Sequence, residues 1–303
     1  MTQASSSPTT RRSVVRVVGA ALGVALLVWA IVTVTRSAPT LEHVRAALYA
    51  PSFTVIAVAL ASGLASFPCS AGVFHALLRR HGSLRYAQMV KAITASGLLN
   101  YAPLRPGLFG RIAYQHVVGG VSMRRGIWST VEVGVIAMLA TLWLALAVLV
   151  VSRCDARALG AIMTGAPLLA GLALLSDRER WWKPYAEALV WRWLDSLSWT
   201  ARYWAVFALV GVELSWESAA AAACVGLSAS LIPIVGGGLG IREWAVALAG
   251  PLLGAWPEDL GLAADLLNRA IDLALIVPLG LAATISAARE MKGAAAVRRV
   301  ARE

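Results

Sequence analysis

Apolar residues run along this chain in long stretches, and polar residues gather in the short segments between them. About six stretches hold roughly 18 or more mostly apolar residues each, which is enough for a helix to cross the hydrocarbon of a bilayer. The first ends near residue 34, and the others occupy about 51–78, 127–151, 158–175, 189–212 and 260–287. The pattern predicts an all-α polytopic membrane protein with about six full transmembrane helices.

Two further apolar segments are interrupted by proline and glycine at the same spacing. The first broken segment, about 86–120, contains LLNYAPLRPGLFGR, and the second broken segment, about 218–253, contains SASLIPIVGGGLGIRE. Their shared Pro-x3-Gly-x2-Gly triplets are Pro103, Gly107, Gly110 and Pro233, Gly237, Gly240. Such residues break helices, and paired interruptions in two halves of a transporter point to a binding site near the middle of the bilayer. We therefore predict two broken, re-entrant helical segments.

The composition agrees with a membrane protein and excludes several other classes. Hydrophobic residues make up 59% of the chain and charged residues 14%, whereas a soluble domain carries about 25% charged residues. None of the three lysines follows a glycine, so the sequence contains no ATP-binding phosphate loop. The three cysteines and four histidines show no metal-binding or triad spacing. We therefore expect no cofactor, no metal and no catalytic residue.

Basic residues are distributed unevenly between the predicted loops. If the N-terminus is cytoplasmic and each broken segment enters and leaves on one side, sixteen Arg and Lys residues lie in cytoplasmic loops and four in outer loops. This is the positive-inside pattern. The net charge of +11 therefore reflects membrane topology and does not indicate nucleic-acid binding. The pattern predicts a multi-pass protein of the bacterial cytoplasmic (inner) membrane with both termini in the cytoplasm.

This topology also fixes the relation between the two broken segments. Three predicted crossings separate them, so the first would open from the cytoplasm and the second from outside. They would form an inverted repeat, as expected for alternating access around one central site. The predicted organisation is a disordered tail at 1–10, a single transmembrane domain at 11–290 and a basic cytoplasmic tail at 291–303.

Polar residues accompany both interruptions. A broken helix presents free backbone N–H groups to an anion, and Arg105 and Arg111 could form forked contacts to a phosphate. Asn100 and Ser230 hold equivalent positions, each three residues before its proline. The alternative is that the glycines only let helices pack closely, while the arginines extend to the membrane surface.

The last apolar stretch carries charges on one helical face. Asp265, Arg269 and Asp272 recur at i, i+4 and i+7. Because charges are costly inside a membrane, this face should meet a polar interior, for which the second broken segment is the candidate. A substrate role and a purely structural ladder of ion pairs both remain open. Arg202 lies deep in the fifth stretch. The predicted substrate-binding residues are Asn100, Pro103, Arg105, Gly107, Arg111, Ser230, Pro233, Gly237, Gly240, Arg242, Glu243, Arg269 and Asp272.

The order and spacing of these motifs resemble the membrane domain of lysylphosphatidylglycerol synthases and its stand-alone relatives, the flippase-like integral membrane proteins. The family pattern of Asn, Pro, Arg, Gly and a following Arg is similar to Asn100, Pro103, Arg105, Gly107 and Arg111. The family's Pro, Gly-Gly-x-Gly and Glu, and its late Arg, are similar to Pro233, Gly237, Gly238, Gly240, Glu243 and Arg269. The resemblance spans about residues 10–290. One departure is Pro106, which stiffens the first broken segment.

The resemblance implies a lipid-translocating domain. We therefore expect a flippase that moves a phospholipid or lipid-linked headgroup by alternating access. Its partner would be an anionic phospholipid or a polyprenyl- or hopanoid-type lipid, and a separate synthase or glycosyltransferase is a candidate partner protein. The alternative is an intramembrane enzyme or accessory subunit in lipid-linked glycan or aminoacyl-lipid assembly.

Overall fold

The structure is a computed structural model that describes residues 8–49, 52–102, 106–154, 165, 167–172, 181–231 and 238–300. These ranges contain ten helices of 12 or more residues and no β-strand. The helices are α1 (Pro8–Arg36), α2 (Ala38–Tyr49), α3 (Phe53–Leu78), α4 (Tyr86–Leu99), α5 (Pro106–Val117), α6 (Met123–Cys154), α7 (Lys183–Leu209), α8 (Trp216–Leu231), α9 (Ile241–Leu253) and α10 (Glu258–Val300).

Three of these helices, α3, α6 and α10, are long and apolar enough to cross a membrane. The pair α1 and α2 bends by 87° and would provide a fourth span if the two helices are counted as one. Helix α7 is also long, with 27 residues, but it is not among these apolar helices. Charged residues such as Arg192, Asp195 and Arg202 lie inside it. Of the predicted stretch 158–175, the structure describes only residues 165 and 167–172, which are helical. The all-helical class is confirmed, and six crossings stay a prediction.

Both broken segments are split into two helices where the sequence predicts an interruption. Leu99 ends α4 and Pro106 begins α5, while Leu231 ends α8 and Ile241 begins α9. Pro106 is tolerated at the start of α5 because the first N–H of a helix has no intrahelical partner. The proline that departs from the family pattern therefore starts a helix. Four predicted site residues lie outside the described residues: Pro103, Arg105, Pro233 and Gly237.

The two terminal helices extend into the predicted tails. Helix α1 begins at Pro8, inside the segment predicted as disordered, since proline is compatible with a first helical turn. Helix α10 continues to Val300, through most of the predicted basic tail. That tail contains three successive alanines, which favour helix strongly.

Helices α3 and α7 pack against each other along the centre of the molecule. Small residues allow the close approach. Gly72 lies against the Trp191 ring, where a Cβ atom would overlap the indole, and Ala59 and Ala205 are buried in one shared cluster. Contacts of this kind are typical of helix pairs in membranes, where small residues bring the two backbones close together.

Each helix that leads into an interruption packs on a helix from the other half of the chain, and we call this the exchanged packing. Helix α4, which leads into the first interruption, packs on α10, and α8, which leads into the second, packs on α6. The ends of α4 and α8 then come together beside α7 and α10. This brings both interruptions to one place in the molecule.

Candidate functional site

Two contacts hold the start of α5 close to the end of α4 at the first interruption. The backbone N–H of Leu108 donates to the side-chain oxygen of Asn100 at 3.1 Å, so Asn100 satisfies one of the free donors at the start of α5. A Cβ atom on Gly107 would overlap the carbonyl oxygen of Ser96. Only glycine therefore lets α5 begin this close to α4.

The second interruption depends on two glycines with positive φ. Gly238 has φ +67° and Gly240 has φ +78°, a region that is costly for other residues. A Cβ atom on Gly240 would lie 2.5 Å from the carbonyl oxygen of Gly23. The indole N–H of Trp244 donates to the carbonyl of Leu26 at 3.2 Å. Gly240 thus lets α1 pack onto the second broken segment, which is the packing role considered as the alternative.

A cavity of about 240 Å³ lies between the end of α4 and the end of α8. Its walls come from α3, α4, α7, α8, α9 and α10 and from the two residues that follow α4. The lining residues are Phe67, Gly97, Asn100, Tyr101, Trp199, Ser230, Arg242, Arg269, Asp272 and Ile276.

The cavity brings together five of the predicted substrate-binding residues: Asn100, Ser230, Arg242, Arg269 and Asp272. Asn100 and Ser230, which hold equivalent positions before the two prolines, face the same space. Glu243 does not line the cavity and lies behind it, fully buried against Arg269. The glycines Gly107 and Gly240 act through backbone approach and packing, as their contacts show.

Asp272 connects two helices to α10 at the cavity wall. One oxygen of its carboxylate accepts a hydrogen bond from Arg202 of α7, and the other lies 3.3 Å from an Nη atom of Arg242 of α9. The carboxylate is partly exposed, at 21% of its side-chain surface. Arg202 is a charged residue beside the cavity that the sequence did not assign to the site. Its depth in α7 was the available signal, because an intramembrane charge requires a partner.

Asp265 anchors Arg242 from behind the cavity. The Nε atom of Arg242 donates to Asp265 at 2.8 Å, and the hydroxyl of Tyr203 donates to the other carboxylate oxygen at 2.6 Å. Asn268 adds a third donor to Asp265 at 3.2 Å. Asp265 is fully buried, and three donors around a carboxylate offset its loss of hydration.

Arg269 is paired with Glu243, to which its Nε atom donates. Both side chains are almost completely removed from solvent. The face of α10 that carries Asp265, Arg269 and Asp272 therefore meets α9 and α7, and each of the three residues has an oppositely charged partner there. The face is an ion-pair ladder, and two of its members also line the cavity.

Trp199 forms an aromatic wall beside these charges. The guanidinium carbon of Arg202 lies 4.2 Å from the Trp199 ring centre, and that of Arg242 lies 5.6 Å away. Cation–π contacts of this kind strengthen when the groups are shielded from water. The indole N–H points to Ser66 at 3.3 Å, and Ser66 donates to Asp195 at 2.5 Å. The ring is thus fixed in orientation between α3 and α7.

Arg111 lies elsewhere in the structure. It is buried between α3, α5 and α6, with its guanidinium 3.8 Å from the centre of the Phe74 ring. One Nη atom donates to the hydroxyl of Thr130 at 2.8 Å. Arg111 is absent from the residues that line the cavity. The structure therefore does not bring it to Arg242 and Arg269, because α5 turns its buried face toward α6.

A second polar cluster joins α4 and α5 to the far part of α10. The Nζ atom of Lys91 lies 2.5 Å from Glu290, and the hydroxyl of Tyr114 donates to the other oxygen of Glu290. Lys91 and Glu290 are 199 positions apart in the chain. No local pattern predicts this contact, since only the packing of α4 on α10 creates it.

In comparisons with known proteins, no family model, no curated protein and no solved structure matches this chain. The residues that line the cavity indicate what it can bind. They provide two guanidinium groups, one partly exposed carboxylate, three aromatic side chains, a serine hydroxyl and an asparagine amide. This set suits a small, strongly polar group with hydrogen-bond acceptors.

Proposed function

We propose that this protein is a lipid translocase of the bacterial inner membrane, which moves a lipid headgroup through the cavity between its two broken segments. The observation that carries the proposal is the convergence of Asn100 and Ser230, one from each interruption, on a cavity lined by Arg242, Arg269 and Asp272. Non-helical backbone at membrane depth is tolerated only where protein or a wet cavity covers it. Intramembrane charges of this kind mark substrate pathways.

The size of the cavity supports a headgroup as its occupant. Pockets for drug-sized ligands measure about 300–1,000 Å³, and the cavity here measures about 240 Å³. That space equals roughly eight water molecules at their liquid volume of about 30 Å³ each. A polar headgroup fits these dimensions, while the acyl chains of the same lipid would remain in the bilayer.

The exchanged packing of the helices supports an inverted repeat. In such a repeat, α3 to α6 correspond to α7 to α10 in order. The observed contacts of α3 with α7, of α4 with α10 and of α6 with α8 are then symmetric under exchange of the two halves. An inverted pair of this kind, with six crossings and cytoplasmic termini, would let the cavity open alternately to the two sides. The flippase-like family resemblance points to the same function.

Lipid movement in proteoliposomes tests this function. The purified protein should move acyl-labelled phospholipids between leaflets, which is measured as the fraction of label bleached by an impermeant reductant. Ser230→Phe should fill the cavity and slow movement at least tenfold. Ser228→Phe is the matched control, because Ser228 lies two residues away on the exposed face of α8, and it should retain the wild-type rate.

The same vesicles distinguish the translocase from the intramembrane enzyme. Movement of unchanged lipid supports translocation. A covalently altered lipid detected by mass spectrometry, without movement of the starting lipid, would replace the proposal by the enzyme. Equal slowing by Ser230→Phe and Ser228→Phe would show that the cavity is not the pathway.

A further inference from the structure

The charges around the cavity cancel. Six charged side chains lie in or behind the cavity wall, and we call them the charge network: Arg202, Asp272, Arg242 and Asp265, which ion pairs join to one another, and the separate pair of Arg269 and Glu243. Three are guanidinium groups and three are carboxylates, so their formal charges sum to zero. Arg105 lies outside the described residues, and the balance refers to the six that are described.

Most of this network is already committed to internal pairs. Asp265 and Glu243 are fully buried, and their partners Arg242 and Arg269 are only 3–4% exposed at the side chain. Adding a charge that lacks a partner beside these buried ion pairs is expensive, because the pairs are largely removed from water. A bound ligand with a net charge would give the site an excess charge, whereas a bound ligand with no net charge would keep the charges of the site balanced.

Asp272 is the member of the network that is most exposed to a ligand in the cavity. It lines the cavity, and 21% of its side-chain surface is exposed, while the other five members of the network are nearly or fully buried. Its contact with Arg242 is 3.3 Å, which is longer than the usual range of about 2.7–3.2 Å for an N–H···O hydrogen bond. This is the longest ion pair of the network, and both of its members line the cavity.

We propose that the cavity is selective for a zwitterionic phospholipid headgroup, which carries one phosphate and one ammonium group. The phosphate would take the place of Asp272 at Arg242, and the ammonium group would pair with the carboxylate of Asp272. Every charge then keeps a partner, and the total stays at zero. The inference rests on the proposed function and names the substrate class of the same site.

A headgroup with a single negative charge fits the network less well. It would add one negative charge to a set in which each cation already has a carboxylate partner. An uncharged polar headgroup could enter, but it would leave the contacts of Arg242 and Asp272 unchanged and so would gain little from them. The zwitterion is the occupant that pairs with both Arg242 and Asp272.

The test compares two lipids that share acyl chains and an acyl-chain label, one with a phosphoethanolamine and one with a phosphoglycerol headgroup. The wild-type protein in proteoliposomes should move the phosphoethanolamine lipid at least tenfold faster. Asp272→Asn leaves the network with one excess positive charge and should reverse the preference toward the phosphoglycerol lipid. Asp272→Glu keeps the charge and should keep the wild-type preference.

Glu290→Gln is the matched control, since it also removes one carboxylate but lies outside the cavity. It should leave the ratio of the two rates unchanged. Each ratio is taken within one preparation, so it does not depend on how much of a variant is folded. If Asp272→Asn yields no folded protein, the wild-type ratio and the Asp272→Glu ratio decide the question.

The failure of this inference differs from the failure of the proposed function. A wild-type protein that moves the phosphoglycerol lipid as fast as the phosphoethanolamine lipid, or faster, overturns the zwitterion selectivity and leaves translocation standing. A reversal of preference by Glu290→Gln would also overturn it, because the cavity would not be the source of selectivity. Movement of neither lipid would overturn the proposed function itself.

Discussion

Breaking the pair between Arg269 and Glu243 separates the structural and the functional roles of the charge network. The pair joins α10 to α9, and the two side chains are 4% and 0% exposed. Arg269 also lines the cavity, whereas Glu243 does not. Removing Arg269 alone confounds the two roles, because it leaves the carboxylate of Glu243 buried without its guanidinium partner.

The expected cost of that single change is large. Removing one partner of a buried ion pair destabilises a protein by about 3–5 kcal/mol, a considerable fraction of a total stability of about 5–15 kcal/mol. Replacing both partners by apolar residues of similar volume is often neutral or stabilising. We therefore expect Arg269→Ala to lower the free energy of unfolding by about 3–5 kcal/mol. The double variant Arg269→Met, Glu243→Leu should recover most of this loss.

The stability and the rate of lipid movement of each variant are measured on the same preparations and compared with those of the wild type. Unfolding in detergent is followed by the fluorescence of the twelve tryptophans, and lipid movement is measured in proteoliposomes. The double variant should be nearly as stable as the wild type and yet move lipid at least tenfold more slowly, because the cavity has lost a guanidinium group. The matched control is Arg79→Met, Glu187→Leu, an ion pair away from the cavity between the residue that follows α3 and a residue of α7. If the double variant at Arg269 and Glu243 transports at the wild-type rate, the ladder is only structural.

Two further predictions follow from contacts at the first broken segment. Gly107→Ala should reduce the yield of folded protein severely, because the added Cβ would overlap the Ser96 carbonyl, whereas Gly110→Ala, whose Cβ would meet only Leu99 at 3.9 Å, should behave as the wild type in expression and melting assays. Arg111→Met should change the free energy of unfolding by less than about 2 kcal/mol, since the loss of a cation–π contact is offset by removing a buried charge. Its rate of lipid movement should stay within twofold of the wild type, and a tenfold loss would show that Arg111 does contact the headgroup.

The sequence by itself determined the helical class and the two places where the broken segments are interrupted. Stretches of apolar residues set α3, α6 and α10, since a long apolar run can satisfy its backbone only as helix in a membrane. The Pro/Gly triplets located both interruptions to within a few residues, because proline and glycine act locally on the backbone. The charges on one face of α10 also follow from sequence, since the period of a helix is known.

The tertiary structure decided which of these residues share a site. Asn100 and Ser230 come together only because α4 packs on α10 and α8 ends beside α7. Arg202 enters the charge network through α7, while Arg111 is directed away by the orientation of α5. Gly240 matches its counterpart in spacing but serves the packing of α1. Spacing along the chain fixes the face of a helix on which a side chain lies, but contacts between helices far apart in sequence depend on how side chains of particular shapes fit together.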